Sequence, residues 1–440
     1  MATTLITAPK KVVRAWTMYD WANSVYNLVV TSTIFPAYYE SLTGDGNPLT
    51  PDYVQFLGKS FDNTALYNYA LSFGFAIVAI LSPLLSSISD YKGSKKGFLR
   101  FFMTMGSIGC SMLFFYGKDN LALGLTCTII ACIGYWSSIV FYNSYLPEIA
   151  APEDRDRISA KGFSMGYIGS VLLQLVSLVL IMKGDLFGIN AAEGSRISFL
   201  LVGIWWLGFG TWAVGRLPKP THAGTVPNGN ILLNGYRELG KVWDELKHLK
   251  VLKAFLGAYF FYNMGVQTVM LSAPLYASDE LGVPQSNLII SILILQLIAI
   301  VGATAISKLS SLIGNIKALI ICVVFWIYLC YFGYTLPSGN VNMFYILAVQ
   351  VGFVMGGIQA LSRSTYAKLM PITKDTASFF SFFDVAEKVG IVIGLFLFGY
   401  LTEETKSQRL SVLSCMTFFI IGMVFLLVTL KRMRHEAARH

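Results

Sequence analysis

Twelve apolar runs, most of about twenty residues or more, follow one another along this chain, at 15–40, 64–89, 98–117, 121–146, 159–182, 195–216, 251–276, 286–308, 316–336, 342–367, 378–402 and 410–430. A helix needs roughly 20 apolar residues to cross a hydrocarbon core of about 30 Å. Lipid offers no partner to a backbone amide, so each run must close its own hydrogen bonds as a helix. Composition agrees: 55% of residues are hydrophobic and 13% charged, where a soluble domain carries about 25% charged residues. The expected fold class is therefore an all-α membrane protein with twelve transmembrane helices. Gly352, Gly356, Gly357 and Ala360 inside the tenth run fit close helix packing, which small residues permit.

The formal net charge of +9 does not point to nucleic acid. The basic residues sit in short loops between apolar runs rather than on a folded basic face. Of the 33 Lys and Arg, 25 lie on one side of the expected bundle, 6 on the other and 2 inside spans. That bias places the rich side, both termini included, in the cytosol. All six cysteines fall in apolar runs without a CxxC pair, and the four histidines lie in the central loop or the tail. Neither a disulfide framework nor a metal site is expected, and no cofactor. The first run continues to Tyr39, too long for the apolar part of a signal peptide, and reads as a retained helix.

The chain divides into an N-terminal bundle (1–216), a linker (217–250) and a C-terminal bundle (251–440). The linker opens with Pro218, Pro220 and Gly224 and then turns amphipathic. Leu232, Tyr236, Leu239, Trp243 and Leu246 share a face, with Arg237, Lys241 and Lys247 elsewhere. Such a helix suits the inner leaflet, or a tether with one packed face. The two halves also echo each other. Tyr26-Asn27 precedes Pro36-Ala37-Tyr38 in span 1, and Tyr262-Asn263 precedes Pro274-Leu275-Tyr276 in span 7. Tyr145 and Pro147 near the end of span 4 match Tyr366 and Pro371 near that of span 10. Six-plus-six repeats place a binding site at the repeat interface near the bilayer midplane.

The loop Asp90-Tyr91-Lys92-Gly93-Ser94-Lys95-Lys96 resembles the Asp-Arg-x-Gly-Arg-Arg signature of the major facilitator superfamily, with Tyr91 in place of a basic residue. Tyr19-Asp20-Trp21-Ala22-Asn23-Ser24 resembles the helix 1 signature of the vacuole-effluxer family, the autophagy-related group and its bacterial relatives. Gly356 to Ser364, and Phe382-Phe383-Asp384 with Lys388, resemble that family's helix 10 and helix 11 segments. The resemblance implies the two-bundle major facilitator fold and secondary transport, with export of small amino acids from fungal vacuoles. For bacterial members it leaves the cargo undefined. The expected location is the inner membrane of a bacterium.

Charges inside spans are costly and hence candidates for function. Here they are Asp20, Arg363, Asp384, Glu387 and Lys388. At 1.5 Å rise per residue, Asp20, Arg363 and Asp384 fall in the cytosolic third, and Lys388 roughly 15 Å into its span, near the midplane. Asp20, Arg363 and Asp384 fit a cytosolic gate of ion pairs between the halves, with Asp90 facing the start of span 11. A direct role in binding cargo is the competing reading. Asp20, Asn23, Ser24 and Asn27 share one face, which must look inward. Asp384 and Lys388, four residues apart, also fit simple self-neutralisation. A midplane Lys388 would attract a carboxylate, with Asn27, Tyr135, Tyr262, Asn263, Gln267 and Gln359 as its neighbours at that depth. Asp20 and Glu387 are candidate proton carriers, with protons as a possible coupling ion. The expected partners are a small-molecule substrate and the lipid bilayer.

Amino acids are the first candidate cargo, and other anionic or zwitterionic metabolites the second. A membrane-embedded transferase is a further alternative. It lacks support from an HExxH motif or an intramembrane His, so the chain is not expected to be an enzyme. No GxxxxGK[ST] loop is present for ATP-driven transport.

Overall fold

A computed structural model describes residues 6–44, 52–218 and 231–438. Leu232, Pro220 and Gly224 of the amphipathic reading lie outside the residues described to side-chain level. The first span is one long composite. α1 (Lys10–Val25) runs through a π-helical stretch (Tyr26–Ile34) into α2 (Phe35–Thr43). Pro36 brings no N–H to the ladder, and the widened turn is filled by hydroxyls. Ser32 donates to the Asn27 carbonyl at 2.8 Å, and Thr33 to that of Leu28 at 2.7 Å. A small hairpin follows, β1 (Tyr53–Phe56) with β2 (Lys59–Asp62).

The remaining helices are α3 (Asn63–Lys92), α4 (Lys95–Met112), α5 (Leu121–Asn143), α6 (Leu146–Ile149), α7 (Arg155–Met182), α8 (Ala191–Arg216), α9 (Ile231–His248), α10 (Lys250–Leu275), α11 (Gln285–Ile313), α12 (Asn315–Thr335), α13 (Val341–Leu369), α14 (Thr376–Thr405) and α15 (Gln408–Ala437). α10 carries Pro274 in its last turn and passes into a π turn, Tyr276–Glu280. The Tyr-Asn, proline and π elements of span 1 thus recur in span 7, at the same place in the other half.

Local chemistry sets the boundaries. Asp62 caps α3 by accepting from the Ala65 amide at 2.8 Å, and Gly93 ends it with φ +61°, a left-handed conformation that glycine adopts freely. Asn190 and Glu193 form a reciprocal capping box at the start of α8. Nine of the described helices are long and apolar enough to cross a membrane. The long helices outside that set are the first composite, α10 and α14. These are the ones carrying Asp20, Asn263 with Gln267, and Asp384 to Lys388.

Within each half the helices pack through small residues. A Cβ on Gly356 would sit 2.1 Å from the Ala299 carbonyl oxygen, so α13 lies directly on the backbone of α11. Between the halves, α7 packs on α11 and α13, and α3 on α14. α9 lies against α3, burying Val242 and Leu246, while Gly235 receives a hydrogen bond from Ser87. Tyr236 and Trp243, expected on an apolar face toward the inner leaflet or toward the protein, are 61% and 48% exposed. The packed stripe therefore runs through Gly235, Leu239, Val242 and Leu246, and the two aromatics lie beside it. At Gly235 the approach to α3 is close: a Cβ there would lie 2.8 Å from Ile88 and 3.0 Å from Leu84.

Candidate site in a central cavity

A cavity of about 340 Å³ lies between the halves. Its floor, at the end of the molecule that carries the basic loops, is an ion pair between Asp20 of α1 and Arg363 of α13. They are 5% and 3% exposed. Arg363 Nη1 and Nη2 donate to Asp20 Oδ2 at 3.3 and 3.2 Å. Nη1 also donates to Asn143 Oδ1 at 3.2 Å, Nη2 to the Ser159 carbonyl at 2.9 Å, and Nε to Ser159 Oγ at 3.0 Å. All five N–H groups of the guanidinium are engaged. The same plane lies over Phe163 and Trp16, 4.2 and 4.7 Å from their ring centres. Tyr142 donates to Asp20 at 2.7 Å.

The cavity wall is aromatic and amide-rich. Asn27, Tyr135, Tyr262, Asn263, Gln267 and Gln359 all line it. Tyr262 shares a hydrogen bond with Ser362 at 2.8 Å, and Tyr167 donates to Gln359 at 2.9 Å. Gln267 Nε2 donates to Glu387 Oε1 at 2.9 Å, holding that carboxylate at the wall. The Asn263 side-chain N–H₂ is buried without a partner. From the floor the cavity lining extends to Pro274, Tyr276 and Leu288, toward the opposite end of the molecule.

Lys388 is not where its depth suggested. It lies outside the cavity lining and is 1% exposed, with Nζ 2.9 Å from Asp384 and 3.4 Å from Glu387. Its ammonium sits 3.6 Å above the ring centre of Trp136 on α5. The physical reason is azimuth. Counting residues gives height along a helix, but the i,i+4 carboxylate drew this side chain to the face of α14 turned toward α3 and α5. Asp384, on that same face, and Asn23, which is fully buried and accepts from Ser24 at 3.3 Å, are also outside the lining.

Below the floor, further polar contacts join the halves. Asp90 accepts from the Ser378 amide and hydroxyl at 2.7 and 2.8 Å and from the Ala377 amide at 3.3 Å. A carboxylate at a helix N-terminus meets unpaired amides and the positive end of the dipole. Lys95 bridges Glu148 and Thr376. Asp156 of α7 accepts from Lys368 at 2.6 Å, Asn315 at 2.8 Å and Ser310 at 3.0 Å, all in the other half. Arg155 donates to the Ala367 carbonyl at 2.7 Å.

Sequence reasoning did not single out the Asp156 and Lys95 contacts, nor Trp136 and Tyr167 in the wall. Asp156 stands in the charged run Glu153 to Arg157 at the head of its span, where charges normally face water. No group of three or more His, Cys, Asp or Glu side chains able to hold a metal occurs among the described residues.

Twelve helices in two packed halves around a central cavity define a major facilitator transporter, a multi-pass integral membrane protein. The chain belongs to the vacuole effluxer Atg22-like family, whose model matches residues 8–438. It is 30% identical to an uncharacterised MFS-type transporter, YxiO, of Bacillus subtilis, over 94% of this chain and 93% of that one. It is 27% identical to autophagy-related protein 22 of Kluyveromyces lactis, over 97% and 95%. In fold it is similar to the major facilitator transporter FucP in its outward conformation, with a TM-score of 0.70 and 14% identity over 95% and 98% of the two chains. The human organic anion transporter MFSD10 superposes with the same TM-score, 11% identical over 95% and 99%.

Proposed function

We propose that this protein moves small organic solutes, amino acids first, across a membrane by alternating access of the halves 1–216 and 251–440 about the central cavity. The observation that carries this reading is an asymmetry. The cavity lining runs toward one end of the molecule, and toward the other end it is closed by side-chain contacts that cross between the halves. Asp20 with Arg363, Asp90 with the α14 N-terminus, Lys95 with Thr376, and Asp156 with Lys368 form that closure. Breaking them together and closing the opposite end would present the cavity to the other side. By the Lys/Arg bias the closed end and both termini face the cytosol, and the inner membrane of a bacterium is the proposed location. Amino acids as cargo rest on the effluxer family and on the amide-lined wall, which supplies donors and acceptors together.

The test is transport by the purified protein in liposomes, with labelled amino acids and a panel of other small metabolites, against protein-free vesicles. Uptake of amino acids is expected. Movement of another metabolite alone sinks the amino-acid reading, and movement of none sinks the transporter reading. A pH gradient imposed on the same vesicles tests protons as the coupling ion.

A further inference from the structure

The charge balance around the cavity points beyond transport in general to the kind of group the wall receives. Among the described residues, the charged side chains lining the cavity are Asp20, Arg363 and Glu387. Asp20 and Arg363 neutralise each other, and no N–H of Arg363 is left for a ligand. Behind the wall one ammonium, Lys388, serves two carboxylates and is closer to Asp384, at 2.9 Å, than to Glu387, at 3.4 Å. Counted by formal charge, the five intramembrane groups leave one net negative charge, and Glu387 is the carboxylate that meets the cavity while sharing its one cation, Lys388, with Asp384. Tyr135 and Tyr259 stand beside it.

A second observation is independent of charge. The Asn263 side-chain N–H₂ is buried, unpartnered and part of the lining, a donor with nothing to donate to. Asn263 and Gln267 are one helical turn apart on α10, about 6 Å of rise, and Gln267 is the residue that fixes Glu387.

We propose that Glu387 binds a protonated amino group of the cargo while Asn263 donates to an oxygen on the same molecule, so that the site selects an amine and rejects a lone carboxylate. The inference rests on the transport reading and reverses the polarity that a cavity-facing Lys388 would have given it.

The test uses full-length protein in nanodiscs and measures binding by intrinsic tryptophan fluorescence or calorimetry. The probes are two matched sets, L-tyrosine, tyramine and 3-(4-hydroxyphenyl)propanoate, and L-leucine, 3-methylbutylamine and 4-methylpentanoate. In at least one set the amino acid and the amine are expected to bind at least about tenfold more tightly than the acid, the scale of a charge-assisted hydrogen bond. Glu387→Gln, which keeps the shape and an acceptor for Gln267, is expected to erase that preference. Asn263→Ala is expected to weaken the amino acid and spare the amine. Equal binding of amine and acid in both sets, preference for the acid, or binding of no probe overturns the proposal. So does an unchanged preference in a folded Glu387→Gln protein, which would mean that a proton and not the cargo meets that charge. Should Glu387→Gln fail to fold, the wild-type probe order decides alone. Binding is read without transport, so a protein that moves solutes yet prefers acids refutes this inference and leaves alternating access standing.

Discussion

Arg363 uses its whole guanidinium inside the protein, and that ties the floor of the cavity across the two halves. Its partners Asp20, Asn143 and Ser159 are all in the other half. A buried pair costs more to break by removing one partner than by separating both into water. Loss of one charge leaves the other uncompensated, at about 3–5 kcal/mol. Arg363→Ala is therefore expected to lower thermal stability in detergent markedly, by more than Arg363→Ala with Asp20→Asn together; equal losses would deny the coupling. Gly162 supplies a gentler probe. A Cβ there would lie 2.4 Å from Asp20 Oδ2 and 2.9 Å from Arg363 Nη2. Gly162→Ala should displace the pair without removing a charge, and so raise the population open at the basic end. A cysteine placed at Thr365, which is 2% exposed, should then label faster with an impermeant maleimide added from that side. An unchanged labelling rate would mean that the pair does not hold the closure.

Among the elements, helices were legible in the sequence and their facing was not. Every expected span has its helix, because lipid leaves the backbone one solution. The π stretches were not foreseen, although the prolines beside them, Pro36 in span 1 and Pro274 in span 7, were on display. Lys388 shows the same limit for side chains: depth follows from counting, but which neighbour a side chain meets depends on how neighbouring helices are rotated. α9 repeats the lesson, since its apolar face was legible but which of its residues meet α3 was not. Its docking on α3 rests on Val242, Leu246 and the close approach at Gly235. Val242→Glu should bury an unpaired charge and release the helix. Limited proteolysis within 231–248 is expected to quicken severalfold while the melting temperature of the membrane bundle holds. Unaltered cleavage would show that α9 is held by other contacts.

For the whole molecule, the closing contacts of Asp20, Asp90, Lys95 and Asp156 lie at or below the cavity floor, toward the basic end, so one rigid motion can release them together. The Asp90 contact is the most telling, because it was legible from a loop motif and lies farther from the cavity than the floor pair. A carboxylate seated on the α14 N-terminus ties the end of α3 to the other half through three hydrogen bonds, and these must break whenever the basic end opens. Rocking thus predicts that tethering these two points stops transport without touching the cavity. The six native cysteines are buried in apolar helices, which favours selective labelling of introduced ones. In protein carrying Asp90→Cys and Ser378→Cys, a short bis-methanethiosulfonate should abolish vesicle uptake, and reductant should restore it. Binding of an amine probe should survive the tether, since neither Asp90 nor Ser378 lines the cavity. Uptake that continues through a completed crosslink would exclude opening at the basic end, and with it the two-sided access on which the transport mechanism depends.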